Sequence, residues 1–368
     1  MIKFLDLKLV NKDYEIELKK AFEGFLNSGH YILGEQVSLF ENEFSSYCGT
    51  KYCIGVSSGL DALQLIFEAY KVIGLLSIGD EVLVPANTYI ASVLAISNTG
   101  LKPVLIEPCP KTYNIDITKI EASINSKTKA ILGVHLYGHL YDVTRLENIS
   151  KQYNLLLVED AAQAHGAVCS DGRLAGNLSN VAAFSFYPTK NLGALGDAGA
   201  ITTNNEELAD AIFKLRNYGR ISTYKNDLKG YNCRLDELQA TFLRIKLKYL
   251  DSDNDKRRDI AKCYLGNINS DHVILPFIEN INQHVFHLFV IRSKKRDQLK
   301  NYLYENGVET LIHYPIAVHR QPAYKEWVDL KMPITDQIHN EVLSLPLYST
   351  MVKKQVMEIA HLINCFKG

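Results

Sequence analysis

The chain has 368 residues, 47% of them hydrophobic, and a formal net charge of −1, which allows two or three domains with a sizeable core and offers no basic excess for nucleic acid or an anionic membrane surface. Seven cysteines without a CxxC pair give no zinc signature, and their odd, scattered number suits reduced thiols in the cytoplasm. The start Met1-Ile2-Lys3-Phe4-Leu5-Asp6 meets an acid too soon for an export signal, and the longest apolar stretches are strand-sized, so no membrane contact is expected.

From about residue 50 to 235, strand and helix patterns alternate. Short apolar runs predict strands at Cys53–Val56, Val82–Val84, Pro103–Ile106, Ala130–Val134, Leu155–Glu159, Val181–Phe186 and Ala200–Thr203, with helical segments such as Val143–Tyr153 between most of them. This alternation predicts an α/β fold, a mainly parallel seven-stranded sheet between helices. After Arg234 the pattern lengthens into helix from Leu235 to Tyr249, and again to Leu265. A smaller α+β C-terminal domain follows, with a strand at Val285–Ile291 covered by helices near Lys295–Asn306 and Lys353–Phe366. The expected division is a large domain over 1–235 and linking helices with a small domain over 236–368, with residues 1–30 packing on the small domain. Lys256-Arg257-Arg258, interleaved with Asp253, Asp255 and Asp259, reads as a solvated helix face. His135 and His139 have the spacing of helical metal ligands, but Gly138 and the β-type run before them argue against a helix, so no metal is expected.

Three places carry chemistry. In Tyr52-Cys53-Ile54-Gly55-Val56-Ser57-Ser58-Gly59-Leu60-Asp61-Ala62-Leu63, a strand gives way to a small-residue turn and then a helix, whose N-terminus would offer free N–H groups to a phosphate. The segment lacks GxGxxG and Walker spacing, which speaks against dinucleotide and nucleoside-triphosphate sites. Leu155-Leu156-Leu157-Val158-Glu159-Asp160-Ala161-Ala162-Gln163 resembles a central strand with an acid at its carboxyl end, where Asp160 could supply a counter-charge to a protonated ring nitrogen. In Ser185-Phe186-Tyr187-Pro188-Thr189-Lys190-Asn191-Leu192, Pro188 stops a buried strand and leaves Lys190 in the following turn, where an amine with a lowered pKa could hold an aldehyde cofactor. Each has a plain alternative: Ser57 or Ser58 as an N-cap, Asp160 as a cap for the next segment, Lys190 as a solvated surface residue.

Taken together with Ser28-Gly29-His30-Tyr31-Ile32-Leu33-Gly34, Pro85-Ala86-Asn87-Thr88-Tyr89-Ile90-Ala91-Ser92, Arg216-Asn217-Tyr218-Gly219 and Arg234-Leu235-Asp236-Glu237-Leu238-Gln239-Ala240, these segments give the chain a near end-to-end resemblance to the DegT/DnrJ/EryC1/StrS family. Its members are pyridoxal 5'-phosphate-dependent nucleotide-sugar aminotransferases of fold type I. The resemblance implies that Lys190 is the Schiff-base lysine and proton shuttle, that Asp160 pairs with the pyridine nitrogen, and that Gln163 bonds near the phenolic oxygen. It puts Tyr89 over the ring, Ser58, Gly59, Leu60 and Ser185 around the phosphate, and Asn217 on the phosphate of the neighbouring subunit, which implies a homodimer with shared sites. Tyr31, Arg220, His313, Tyr314 and His319 are the implied substrate contacts, although Tyr314 and Pro315 could equally form only a rigid loop.

Relatives that act as sugar dehydratases carry histidine at the lysine position, so Lys190 favours transamination. The segments 218–237 and 285–292 are similar to the branch that aminates dTDP-3-oxo-6-deoxyhexoses at C3. A dTDP sugar, with the galacto form preferred to gluco, and L-glutamate as donor are therefore expected, the product being a 3-amino-3,6-dideoxyhexose for a surface polysaccharide. The alternatives are a C4 aminotransferase of the same family and a noncatalytic sensor that keeps the fold.

Overall fold

The structure, a computed structural model, describes residues 1–368. Strands β1 (Tyr52–Val56), β2 (Glu81–Pro85), β3 (Lys102–Ile106), β4 (Thr128–Val134), β5 (Leu156–Asp160), β6 (Val181–Ser185) and β7 (Gly199–Thr203) form one sheet in the order β1-β7-β6-β5-β4-β2-β3. The pairings β3–β2, β2–β4, β4–β5 and β5–β6 are parallel, and β7 runs against both β6 and β1. Alternate residues feed opposite faces of the sheet: Leu83, Ile131 and Leu157 enter one apolar core, and Val82, Val84, Leu132 and Val158 the other. Burial on both sides explains why these strands read as continuous apolar runs.

The helices of the first half are α1 (Leu7–Lys12), α2 (Glu15–Ser28), α3 (Glu35–Cys48), α4 (Gly59–Val72), α5 (Ile90–Asn98), α6 (Val143–Gln152) and α7 (Glu206–Leu215). Those of the second half are α8 (Glu237–Leu247), α9 (Leu250–Asn267), α10 (Arg296–Glu305), α11 (Pro333–Glu341) and α12 (Lys353–Cys365). Helix α4 starts where the Ser58 hydroxyl accepts from the Asp61 amide, and it buries Leu63, Ile66, Phe67 and Tyr70 against the sheet.

Strands β8 (Arg220–Ser222) and β9 (Lys225–Asn226) make an exposed hairpin after α7. The small C-terminal sheet pairs β10 (Phe289–Arg292) with β11 (Val342–Leu345), antiparallel, over a core shared by α9, α10 and α12. Ile2 enters that core and bridges to Val308, while α2 lies on α8 through Tyr14, Leu18, Phe242 and Ile245.

Two sequence expectations need correction. The strand expected over Val285–Ile291 is confined to Phe289–Arg292, because Phe286 has φ 46° and the preceding backbone pairs with the loop after β4, Val285 N donating to Gly138 O at 2.9 Å. Lys256-Arg257-Arg258 is not a solvated face: α9 turns Arg257 inward until it is 5% exposed, and Arg258 reaches the His284 carbonyl at 3.3 Å. Only Lys256 of the three points outward.

Candidate active site

The carboxyl ends of β5 and β6 and the amino end of α4 converge. At Gly59 a Cβ would stand 2.6 Å from the Ser185 Cβ, so only glycine lets the helix start come this close to the end of β6. The amides of Gly59 and Leu60 have no acceptor in the chain. The Ser58 hydroxyl is engaged with Asp61, accepting from its amide at 3.1 Å and donating to its carboxylate at 2.8 Å, and Ser57 donates to the same carboxylate at 2.6 Å. Ser185 Oγ accepts only from the Tyr187 amide, at 3.3 Å. Free amides at the start of a 14-residue helix, with a hydroxyl opposite, fit a phosphate monoester.

Asp160 closes β5. Its Oδ2 accepts from the Ser92 hydroxyl at 2.7 Å and its Oδ1 from the Ala162 amide at 3.1 Å. Burial pushes its carboxyl up from the ordinary range, against the opposing pull of those two donors and of the Lys190 charge. Lys190 sits in the turn after β6, its amide donating to Tyr187 O at 2.8 Å. Desolvation pushes its amine down to about 8, with the Asp160 charge working the other way. Lys246 of α8 holds the same turn from beneath by donating to Gly193 O at 2.7 Å, and Asn191 donates to Asn254 at 2.8 Å and to Val285 O at 3.0 Å. The lysine is thus mounted on a turn fixed from α8, α9 and Val285 at once.

Gln163 is spent at both ends, accepting from the Tyr137 amide at 2.6 Å and donating to Tyr314 Oη at 2.9 Å. Tyr314 in turn packs its ring 5.1 Å from that of Tyr89, which is half exposed. Tyr137 Oη donates to the His313 carbonyl at 2.5 Å, so the 313–314 loop is carried over the end of the sheet. His313 meets Ser344 at 2.8 Å through Nδ1, and burial pushes it down to about 4, which keeps its ring neutral.

Within one chain the structure brings Ser58, Gly59, Leu60, Ser185, Asp160, Gln163, Lys190, Tyr89, His313 and Tyr314 to one end of the sheet. It does not bring the other candidates there. Tyr31 donates to Leu26 O at 3.2 Å and packs on Phe25. Asn217 accepts from Arg234 at 3.3 Å, and Arg220 lies on the exposed hairpin, donating to Thr223 O at 2.5 Å. His319 is buried with its Nε2 3.0 Å from Asp336, whose carboxylate pairs with Arg320 and so ties the 318–320 turn to α11, away from the cleft.

Sequence reading missed Ser92, Tyr137 and His165. The first lies in a segment that sequence had already singled out, four residues from Thr88, whose hydroxyl it meets at 2.8 Å; that spacing was the available signal. Tyr137 and His165 gave none, since their roles arise from contacts distant in sequence. His165 packs against Phe184 and Phe186 with both ring nitrogens unpartnered, and burial beside Lys190 pushes it down to about 3.

A phosphate cradle, a buried carboxylate and an amine of lowered pKa together fit pyridoxal phosphate. Known proteins agree. The DegT/DnrJ/EryC1/StrS aminotransferase family matches residues 12–364. A dTDP-3-amino-3,6-dideoxy-alpha-D-galactopyranose transaminase of Aneurinibacillus thermoaerophilus is 53% identical, the match covering 99% of each chain. The crystal structure of Streptomyces venezuelae DesV in complex with a ketimine intermediate superposes with TM-score 0.95 and 42% identity over 99% of this chain and 97% of that one. A Bacillus subtilis structure with bound cofactor PMP superposes with TM-score 0.89 and 33% identity over 98% and 84%.

Proposed function

Since the chain belongs to the DegT/DnrJ/EryC1/StrS aminotransferase family, we propose that it is a pyridoxal-phosphate-dependent transaminase that aminates a dTDP-3-oxo-6-deoxyhexose at C3. The observation that carries the substrate is the 53% identity, over 99% of both chains, to a transaminase named for its dTDP-3-amino-3,6-dideoxygalactose product. The same similarity supports the galacto over the gluco form. L-glutamate is the proposed donor, the cytoplasm the proposed compartment, in keeping with seven free thiols, and a homodimer the proposed assembly.

When bound, the cofactor supplies the electron sink that makes a proton on the carbon bearing nitrogen removable. Lys190 Nζ would hold the aldehyde and would take and return that proton; with its pKa pushed down to about 8, a far larger share of the amine is neutral near neutral pH than in an ordinary lysine. Asp160 holds a proton on the ring nitrogen, and Ser92 and the Ala162 amide keep its charged form in a buried place. Ser58, Gly59, Leu60 and Ser185 anchor the phosphate, and Tyr89 fixes the plane of the ring. Gln163 acts through Tyr314, which its amide orients. His313 and Tyr314 face the sugar, while Tyr31, Asn217 and Arg220 serve the partner subunit's site.

Offering dTDP-linked 3-oxo and 4-oxo 6-deoxyhexoses with L-glutamate, and locating the new amine by NMR, tests this reading. Amination of the 3-oxo sugars alone is expected, and amination of 4-oxo sugars alone would replace it with the C4 reading.

A further inference from the structure

Between the N-terminal segment and the small domain lies a cavity of about 740 Å³ that touches the catalytic turn at Thr189 and the 313–314 loop at His313. Arg257 of α9 stands in its wall, only 5% exposed. Its Nη1 donates to the carbonyls of Phe286 and Leu347, each at 3.3 Å, and its other N–H groups have no acceptor in the chain. Neighbouring acids are already engaged: Asp253 accepts from Tyr14 and from Lys256, and Glu309 accepts from the Phe4 amide at 3.3 Å. Burial pushes the guanidinium down to about 10 although the nearby Asp253 charge pulls the other way, and no carboxylate is hydrogen-bonded to it.

Such a group is matched by a planar carboxylate, which takes two parallel N–H bonds from one guanidinium. The rest of the wall sets Leu5, Leu311 and Leu347 beside Lys300, Asn301 and Glu309, which leaves an apolar stretch for a short methylene chain. We propose that this cavity is the subsite of the amino donor, and that Arg257 receives the side-chain carboxylate of a short dicarboxylic amino acid. The proposal rests on the transaminase reading above and makes the donor's second carboxylate the group that selects it.

Glutarate, a dicarboxylate that cannot react, is the probe. Calorimetry on the cofactor-loaded enzyme should show glutarate binding that Arg257→Gln weakens by about thirtyfold or more, as expected when one partner of a buried charge pair is truncated. The same variant should raise half-saturating L-glutamate to a similar extent, leave that of the keto sugar within about twofold, and lose the preference for glutamate over glutamine. Arg257→Lys, which keeps the charge but loses the fork, should weaken glutarate several-fold and serves if the glutamine variant does not fold. Unchanged glutarate affinity in a folded, cofactor-loaded variant overturns the proposal, and so does displacement of the probe by dTDP with no effect of either substitution. If wild-type enzyme binds glutarate but never accepts nitrogen from glutamate, the donor reading fails while the carboxylate site stands.

Discussion

Asp160 is buried and Lys190 half-buried, and the charge of each opposes the effect of burial on the other, so the chemistry is most open to test at this pair. Lys190→Ala should lower turnover by at least about a thousandfold, since both cofactor attachment and proton transfer go with the amine, and should abolish the borohydride-trapped adduct seen by mass spectrometry. The lowered pKa has its own consequence. Only the neutral amine reacts with an aldehyde, so the rate at which cofactor-free protein takes up pyridoxal phosphate should climb with pH and level off near 8. A rate still climbing toward the ordinary lysine value would contradict the burial argument.

Ser92→Ala removes one of the two donors on a buried carboxylate, a loss of about 1–3 kcal/mol, and cofactor affinity measured by fluorescence titration should fall about tenfold or more. Lys190 and Asp160 were legible because an apolar run stops just before each functional group. Ser92, Tyr137 and His165 were not, because their partners lie on other elements: Ser92 meets Asp160 across 68 positions, and Tyr137 meets the His313 carbonyl across 176.

At the scale of elements, α4 and β6 meet so closely that Gly59 is the joint of the phosphate cradle. Gly59→Ala places a methyl 2.6 Å from the Ser185 Cβ, and relieving it separates the helix start from the hydroxyl opposite. The variant should keep its circular-dichroism spectrum and lose cofactor affinity by about tenfold, overpacking strain being about 1–3 kcal/mol. The seven strands of the main sheet could be read from sequence to within about two residues at either end, because strands buried on both faces cannot hide among polar residues. The small domain was less legible. Its β11 is four residues long and follows α11 without a turn, so no punctuation separated it from the helix, and β10 lost its first half to the left-handed Phe286.

On the scale of the whole molecule, Tyr31, Asn217 and Arg220 make no hydrogen bond to the turn that carries their own chain's Lys190, and the proposed homodimer gives them a place in the partner's site. Subunit mixing tests this without any new structure. If Asn217→Ala and Lys190→Ala chains are each inactive and are exchanged at equal concentration, about half of the dimers are mixed and one of the two sites in each is intact, so about a quarter of wild-type activity should return. No recovery would mean that Asn217 serves its own chain.

L-glutamate carrying an isotopically labelled amino nitrogen shows whether the Lys190 turn is a centre of amino transfer to C3 of a dTDP-linked sugar. Wild-type enzyme given this donor and a dTDP-3-oxo-6-deoxyhexose should place the label on C3 and release an equal amount of 2-oxoglutarate, and Lys190→Ala should do neither. A 3-oxo sugar that takes up no label while glutamate and cofactor are present, or labelled sugar formed by the alanine variant at the wild-type rate, would contradict that role.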